Sequence, residues 1–144
     1  MRYRTIHTLV CFLLLMAANI QADNLTQPVS LVPCPVSIVP GTGNFHFSEE
    51  TTFAVENEEQ AVEVRRFTAL LTRAAGFTPR IKVGNKKGDV CLTTDVGLKE
   101  EAYKLEITAK RINIHAADVQ GFFYALQSIR QLLPAAIEGG QVVT

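Results

Sequence analysis

The chain has 144 residues, 47% of them hydrophobic, with 14 basic against 14 acidic side chains and no tryptophan. Neutral balance, with no basic cluster larger than Lys86-Lys87, gives no electrostatic basis for nucleic-acid binding. No apolar run approaches the roughly 18 residues a membrane-spanning helix needs, so no span is expected in the mature chain.

Residues 1–22 read as a signal peptide, with Arg2 and Arg4 as its basic start, Leu9 to Met16 as its apolar run and Ile20-Gln21-Ala22 as a small-residue cleavage site. The expectation is export, periplasmic or extracellular, after cleavage near Ala22; an uncleaved anchor is the alternative. Cys11 lies inside the apolar run, away from the cleavage point, which argues against lipidation there. Removing 22 residues leaves 122, with 12 basic against 14 acidic side chains, the size of one modest domain. Residues 23–30 form a polar linker.

The domain itself is expected over 31–134. Leu31 to Val39 is extended, because each proline forbids helix before it. Pro33 and Pro35 also lack ladder donors, so this is expected as an edge or partly paired strand. Gly41-Thr42-Gly43 turns the chain into Asn44–Phe47, and Thr52–Val55 is a further strand. Asn57 followed by Gln60 is a capping-box pattern, with Glu58 and Glu59 suited to the positive end of a helix dipole. Val64, Phe67, Leu71 and Ala74, with Leu70 beside them, make that helix's buried stripe; Gly76 and Pro79 end it. Arg80–Val83 and Asp89–Thr94 read as strands across the turn 84–88.

From Tyr103 the apolar pattern has period two. Tyr103, Leu105 and Ile107 alternate with Lys104, Glu106 and Thr108; after a turn at Ala109-Lys110, Ile112, Ile114 and Ala116 alternate with Arg111, Asn113 and His115. Asp118 caps a second helix. Its buried stripe is Phe122, Leu126, Ile129 and Leu133, and Pro134 stops it. The order predicts an α+β fold: one mixed, largely antiparallel sheet with two helices packed on one face.

Little in this chain is arranged for chemistry. His46 and His115 sit on the polar side of their strands without metal-ligand spacing. Glu49-Glu50, Glu58-Glu59 and Glu100-Glu101 tempt a two-carboxylate glycosidase reading. Neighbours on a strand point to opposite faces, however, and Glu58-Glu59 belongs to a helix's first turn. Gly84–Gly88 lacks the Ser/Thr and helix of a phosphate loop. Cys34 and Cys91 are a candidate disulfide whose 57-residue separation would give about 4 kcal/mol on the chain-entropy model; two buried thiols are the alternative. No catalytic, substrate-binding or metal-ligating residue is predicted, and no cofactor.

Two segments carry a resemblance. Gly121-Phe122-Phe123-Tyr124-Ala125-Leu126-Gln127-Ser128-Ile129-Arg130-Gln131-Leu132-Leu133, with Tyr103, Leu105 and Ile114 before it, resembles the end of the N-terminal domain of glycoside hydrolase family 20, the β-N-acetylhexosaminidases. Leu31-Val32-Pro33-Cys34-Pro35-Val36-Ser37 with Gly41, Gly43 and Phe45 is similar to that domain's proline-bearing opening strand. Family 84 and the α-glucuronidases share the architecture, with a weaker match to the helix motif.

The resemblance implies that catalysis belongs to a (β/α)8 barrel C-terminal to this domain. There an aspartate–glutamate pair hydrolyses terminal N-acetylhexosamine with help from the sugar's own acetamido oxygen. No Asp-Glu dipeptide and no pocket tryptophan occurs here, and the barrel's P-R-F-x-[WH]-R-G opening is absent. Residues 135–144 are then expected to start the linker to a missing barrel. The expected role is accessory domain, inactive alone, with the barrel as partner in cis and glycan met only through it. The alternative is a free-standing exported carbohydrate-binding or interaction module, using Tyr103, Phe123 and Tyr124 as an aromatic platform.

Overall fold

A computed structural model describes residues 30–135. The signal segment, all but the last residue of the polar linker, and residues 136–144 lie outside the described residues. The elements run β1 (Thr52–Val55), α1 (Glu58–Ala75), β2 (Arg80–Val83), β3 (Val90–Thr94), β4 (Tyr103–Ile107), β5 (Ile112–Ala116) and α2 (Val119–Leu132).

The strands form one mixed sheet in the order β2-β1-β3-β5-β4, with both helices on one face. The balance expected from sequence is reversed. β1 pairs in parallel with β2 and with β3, and β3 in parallel with β5; only β4 and β5 pair antiparallel. The cause is connectivity. Helix α1 carries the chain back between β1 and β2, and such a crossover makes its two strands parallel. β4 turns back at the sheet edge, so β5 slots between β3 and β4 in the direction of β3.

The core lies between the sheet and the helices. Phe53 and Val55 of β1, Val90 and Leu92 of β3, and Ile112, Ile114 and Ala116 of β5 face Val64, Phe67, Leu71, Phe122, Leu126 and Ile129. The first predicted stripe is therefore buried, as are Phe122, Leu126 and Ile129 of the second, each large side chain contributing roughly 1.5–3 kcal/mol, whereas Leu133 caps the end of α2 and is only partly buried. Gly121 sets how closely α2 approaches the sheet, and Gly88 how closely the chain entering β3 approaches β1. A Cβ at Gly121 would stand 2.7 Å from the Ala102 carbonyl oxygen and 2.9 Å from the Ala116 Cβ; one at Gly88 would stand 2.8 Å from the Thr52 oxygen.

Caps form where expected. Asn57 Oδ1 accepts from the Gln60 amide at 2.9 Å, and Asp118 Oδ1 from the Gly121 amide at 2.8 Å. Gly76 closes α1 in a left-handed conformation at φ 76°, its amide reaching the Thr72 carbonyl.

The opening segment departs from expectation. Neither Leu31–Val39 nor Asn44–Phe47 joins the sheet. Prolines at 33 and 35 remove ladder donors, and the segment is fastened by a side chain instead. Val32 donates its amide to Gln131 Oε1 and accepts from Gln131 Nε2, both at 2.9 Å. Phe45 and Phe47 reach the core through their rings, Phe47 lying 6.2 Å from Phe53 and 6.0 Å from Phe67 between centroids.

Candidate functional site

The carboxylates most engaged with the fold stabilise backbone. Glu56, just past β1, accepts the Thr94 amide at 2.9 Å, and the buried Gln60 side chain donates to both Glu56 and the Thr94 hydroxyl. Gln60 Oε1 in turn accepts the Glu56 amide at 2.7 Å, one residue further back than a standard capping box. These bonds, chiefly from Thr94, hold the Glu56 carboxyl below the usual glutamate range. Asp89 Oδ2 accepts the Thr52 amide and hydroxyl, each at 2.9 Å, and the amide bond above all lowers its pKa. Asp118 is lowered by the Glu101 amide first and the Gly121 amide second. Each is committed to the charged state as an acceptor. None is poised as a general acid.

The remaining candidates from sequence stay apart. Glu49, Glu50, Glu58, Glu59, Glu100 and Glu101 are exposed. His46 is exposed, and His115 lies half-buried on the sheet face away from the helices. Among the described residues no three His, Cys, Asp or Glu side chains assemble a metal site, and no helix is long and apolar enough to cross a membrane. Gly84–Gly88 leads into β3 rather than a helix, with Asn85 Oδ1 accepting the Lys87 amide. The Cys34–Cys91 disulfide is not formed. Cys34 is an exposed thiol on the opening segment, whereas Cys91 is buried in β3 with its Sγ 3.3 Å from the Gly88 carbonyl.

What the fold leaves open is the outward side of the helices. Phe123 and Tyr124 are 40% and 41% exposed on α2, with ring centroids 5.5 Å apart and planes inclined by 65°. That inclination denies a sugar a flat two-ring platform. Tyr103 is withdrawn from it altogether, its hydroxyl 2.6 Å from Ser128 Oγ beneath α2. Beside Phe123 a cleft of about 160 Å³ runs between the helices, rimmed by Arg66, Arg73 and Arg130, with Glu63 and Leu70 also lining it. Glu63 is held by Arg66 at 2.7 Å. The sequence singles out the aromatic pair as a platform candidate but not the cleft, because α1 and α2 meet only through the tertiary fold.

The fold and these sites define an α+β domain in which Glu56, Asp89 and Asp118 accept from backbone amides and the helix pair covers one face of the sheet. The chain belongs to glycosyl hydrolase family 20, residues 28–143 matching that family's domain 2. It is 27% identical over 142 residues to a beta-hexosaminidase of Porphyromonas gingivalis, covering 92% of this chain and 18% of that protein. The solved N-acetyl-beta-hexosaminidase of Streptomyces plicatus superposes with a TM-score of 0.72 at 27% identity, over 81% of this chain and 24% of that one. The GH20 beta-N-acetylhexosaminidase of Streptomyces coelicolor A3(2) gives 0.69 at 28% identity, over 78% and 23%. This chain therefore spans about a fifth to a quarter of the length of these relatives.

Proposed function

We propose that this chain is the N-terminal accessory domain of an exported β-N-acetylhexosaminidase and that it has no hydrolase activity by itself. The observation that carries the reading is the state of its carboxylates. Glu56, Asp89 and Asp118 are bound by backbone and side-chain donors and held ionised, and none of the exposed Glu49, Glu50, Glu58, Glu59, Glu100 and Glu101 lines the cleft between the helices. Retaining and inverting glycosidases alike need a protonated acid opposite a second group across the sugar.

The domain's work is then mechanical. Its sheet and core set a rigid two-helix face, and Phe123, Tyr124 and Leu132 on that face leave apolar surface suited to another domain. The barrel that such a face would support, cleaving terminal N-acetylhexosamine from glycans, is the partner in cis. Export rests on the Arg2–Ala22 pattern.

The test is an assay of the purified chain on a chromogenic N-acetylglucosaminide, where no turnover is expected. Turnover that copurifies with the chain and survives repeated purification would overturn the reading. Glycan titration followed at Phe123 and Tyr124 addresses the carbohydrate-module alternative, and saturable shifts at those two residues would favour it.

A further inference from the structure

We infer that β4 is a self-pairing edge, where the chain joins a second copy of itself strand to strand, Leu105 against Leu105 about a two-fold axis normal to the sheet. The inference goes beyond the accessory-domain reading and does not rest on it.

β4 and β2 are the two edges of the sheet. An edge strand presents a row of unpaired N–H and C=O groups. The bonds from the Thr108 amide to Arg111 and from the Ala117 amide to Ala102 fix the phase of the β4–β5 ladder. Bonded pairs alternate in an antiparallel ladder. Lys104 and Glu106 therefore bond to β5, and the amides and carbonyls of Tyr103, Leu105 and Ile107 point outward. Among the described residues no bond reaches those outward groups. Pairing Leu105 with its copy makes a bonded pair there and sets Lys104 opposite Glu106 on both sides of the axis. These are the non-bonded pairs, in which side chains stand closest. Lys104 reaches Asp95 only at 3.7 Å on an exposed surface, and Glu106 accepts from the neutral Asn113 side chain at 3.0 Å. Glu106 thus keeps its charge and Lys104 is held loosely. The other edge is barred, because the same symmetry would set Arg80 and Lys82 of β2 against each other.

The helices agree with the strands. α2 lies over β4 and β5, so two copies of α2 would stand about two strand spacings apart, roughly 10 Å, where helices pack. Ser128 meets Tyr103 of β4. Tyr124 and Leu132, one turn to either side of Ser128, share its flank and are 41% and 42% exposed. The pairing covers both, while Phe123 stays on the α1 side beside Leu70.

The experiment is sedimentation equilibrium of the 144-residue chain over a range of concentrations. Interfaces this small are weak, so half-association at roughly 10–100 µM is expected. Lys104→Glu and Glu106→Lys should each weaken it about tenfold, since each sets two like-charged pairs across the axis. The double variant Lys104→Glu with Glu106→Lys should restore it. An equimolar mixture of the two single variants should form a mixed dimer, because one brings two glutamates to the edge and the other two lysines. Lys87→Glu, in the exposed turn before β3, should change nothing. Both edge side chains are exposed, so each variant should melt close to the parent, which shows that it is folded. A chain that stays monomeric throughout, a dimer indifferent to the reversals, or single variants that do not associate with each other would each overturn the inference.

Discussion

Gly121 offers the sharpest test of how this domain is packed. Replacing it with alanine adds one methyl group inside the first turn of α2. On an exposed helix the change would gain up to about 1 kcal/mol, because glycine is the poorer helix former. Here the new Cβ would lie 2.7 Å from the Ala102 carbonyl oxygen and 2.9 Å from the Ala116 Cβ. Both neighbours are fixed. The Ala102 oxygen accepts the Ala117 amide at 3.3 Å, and Ala116 is fully buried in β5, paired with Tyr103 and Thr94. Relief requires α2 to lift off the sheet, loosening Phe122 and the Asp118–Gly121 capping bond. Overpacking of this kind costs about 1–3 kcal/mol, enough to outweigh the propensity gain. A net loss of about 1–2 kcal/mol should lower the melting temperature by roughly 4–15 °C in a domain of this size. Circular dichroism is the suitable probe, since the chain has no tryptophan. Gly41→Ala is the control, having no atom within 4 Å of the added Cβ, and should shift stability by less than about 0.5 kcal/mol. A Gly121→Ala variant as stable as the parent would refute the close-approach reasoning.

Gln60→Leu should cost about 2 kcal/mol, because it strips the Glu56 amide and Thr94 hydroxyl of a buried partner; an unchanged denaturation midpoint would argue that water replaces it. Stability should be full at neutral pH and fall in acid. Glu56 and Asp89 have folded pKa values below their unfolded values near 4, so their contribution is present above that point and lost as pH drops through the folded values. Melting curves between neutral and acid pH test this, and the combination Glu56→Gln with Asp89→Asn should flatten the acid limb; an identical slope in both proteins would contradict it. Under native conditions Cys34 should react with a thiol reagent at once and Cys91 only on unfolding; protection of both, released by reductant, would mean that a disulfide forms after all.

Most of the elements are legible in the sequence because their signals are local. The alternation from Tyr103 to Ala116, the stripes Val64–Ala74 and Phe122–Leu133, and the caps at Asn57, Asp118 and Gly76 each depend on neighbours within a few residues. The parallel pairing of β3 with β1 and β5 does not, and a strong β4–β5 hairpin biases any reading toward an antiparallel sheet. Pro33 and Pro35 signal an extended chain without revealing that Gln131, 99 residues away, would hold it. For the candidate site the same division applies. The glutamate pairs are readable as surface from strand and helix geometry, whereas Arg66 and Arg73 meet Arg130 only after two helices pack. The glycine at 121 is visible as part of a motif, but its reason is a carbonyl oxygen from the loop before β4.

The Val32–Gln131 clasp joins the beginning of the folded unit to its last helical turn. Both connections of the domain to the rest of a polypeptide thus lie at one pole, like the two leads of a plug. Tension applied through those connections would meet two hydrogen bonds before it reached any strand of the sheet. A circularly permuted chain, joined across that pole and opened at the exposed Asn85-Lys86-Lys87 turn, should keep the same sheet order and the same two-helix face.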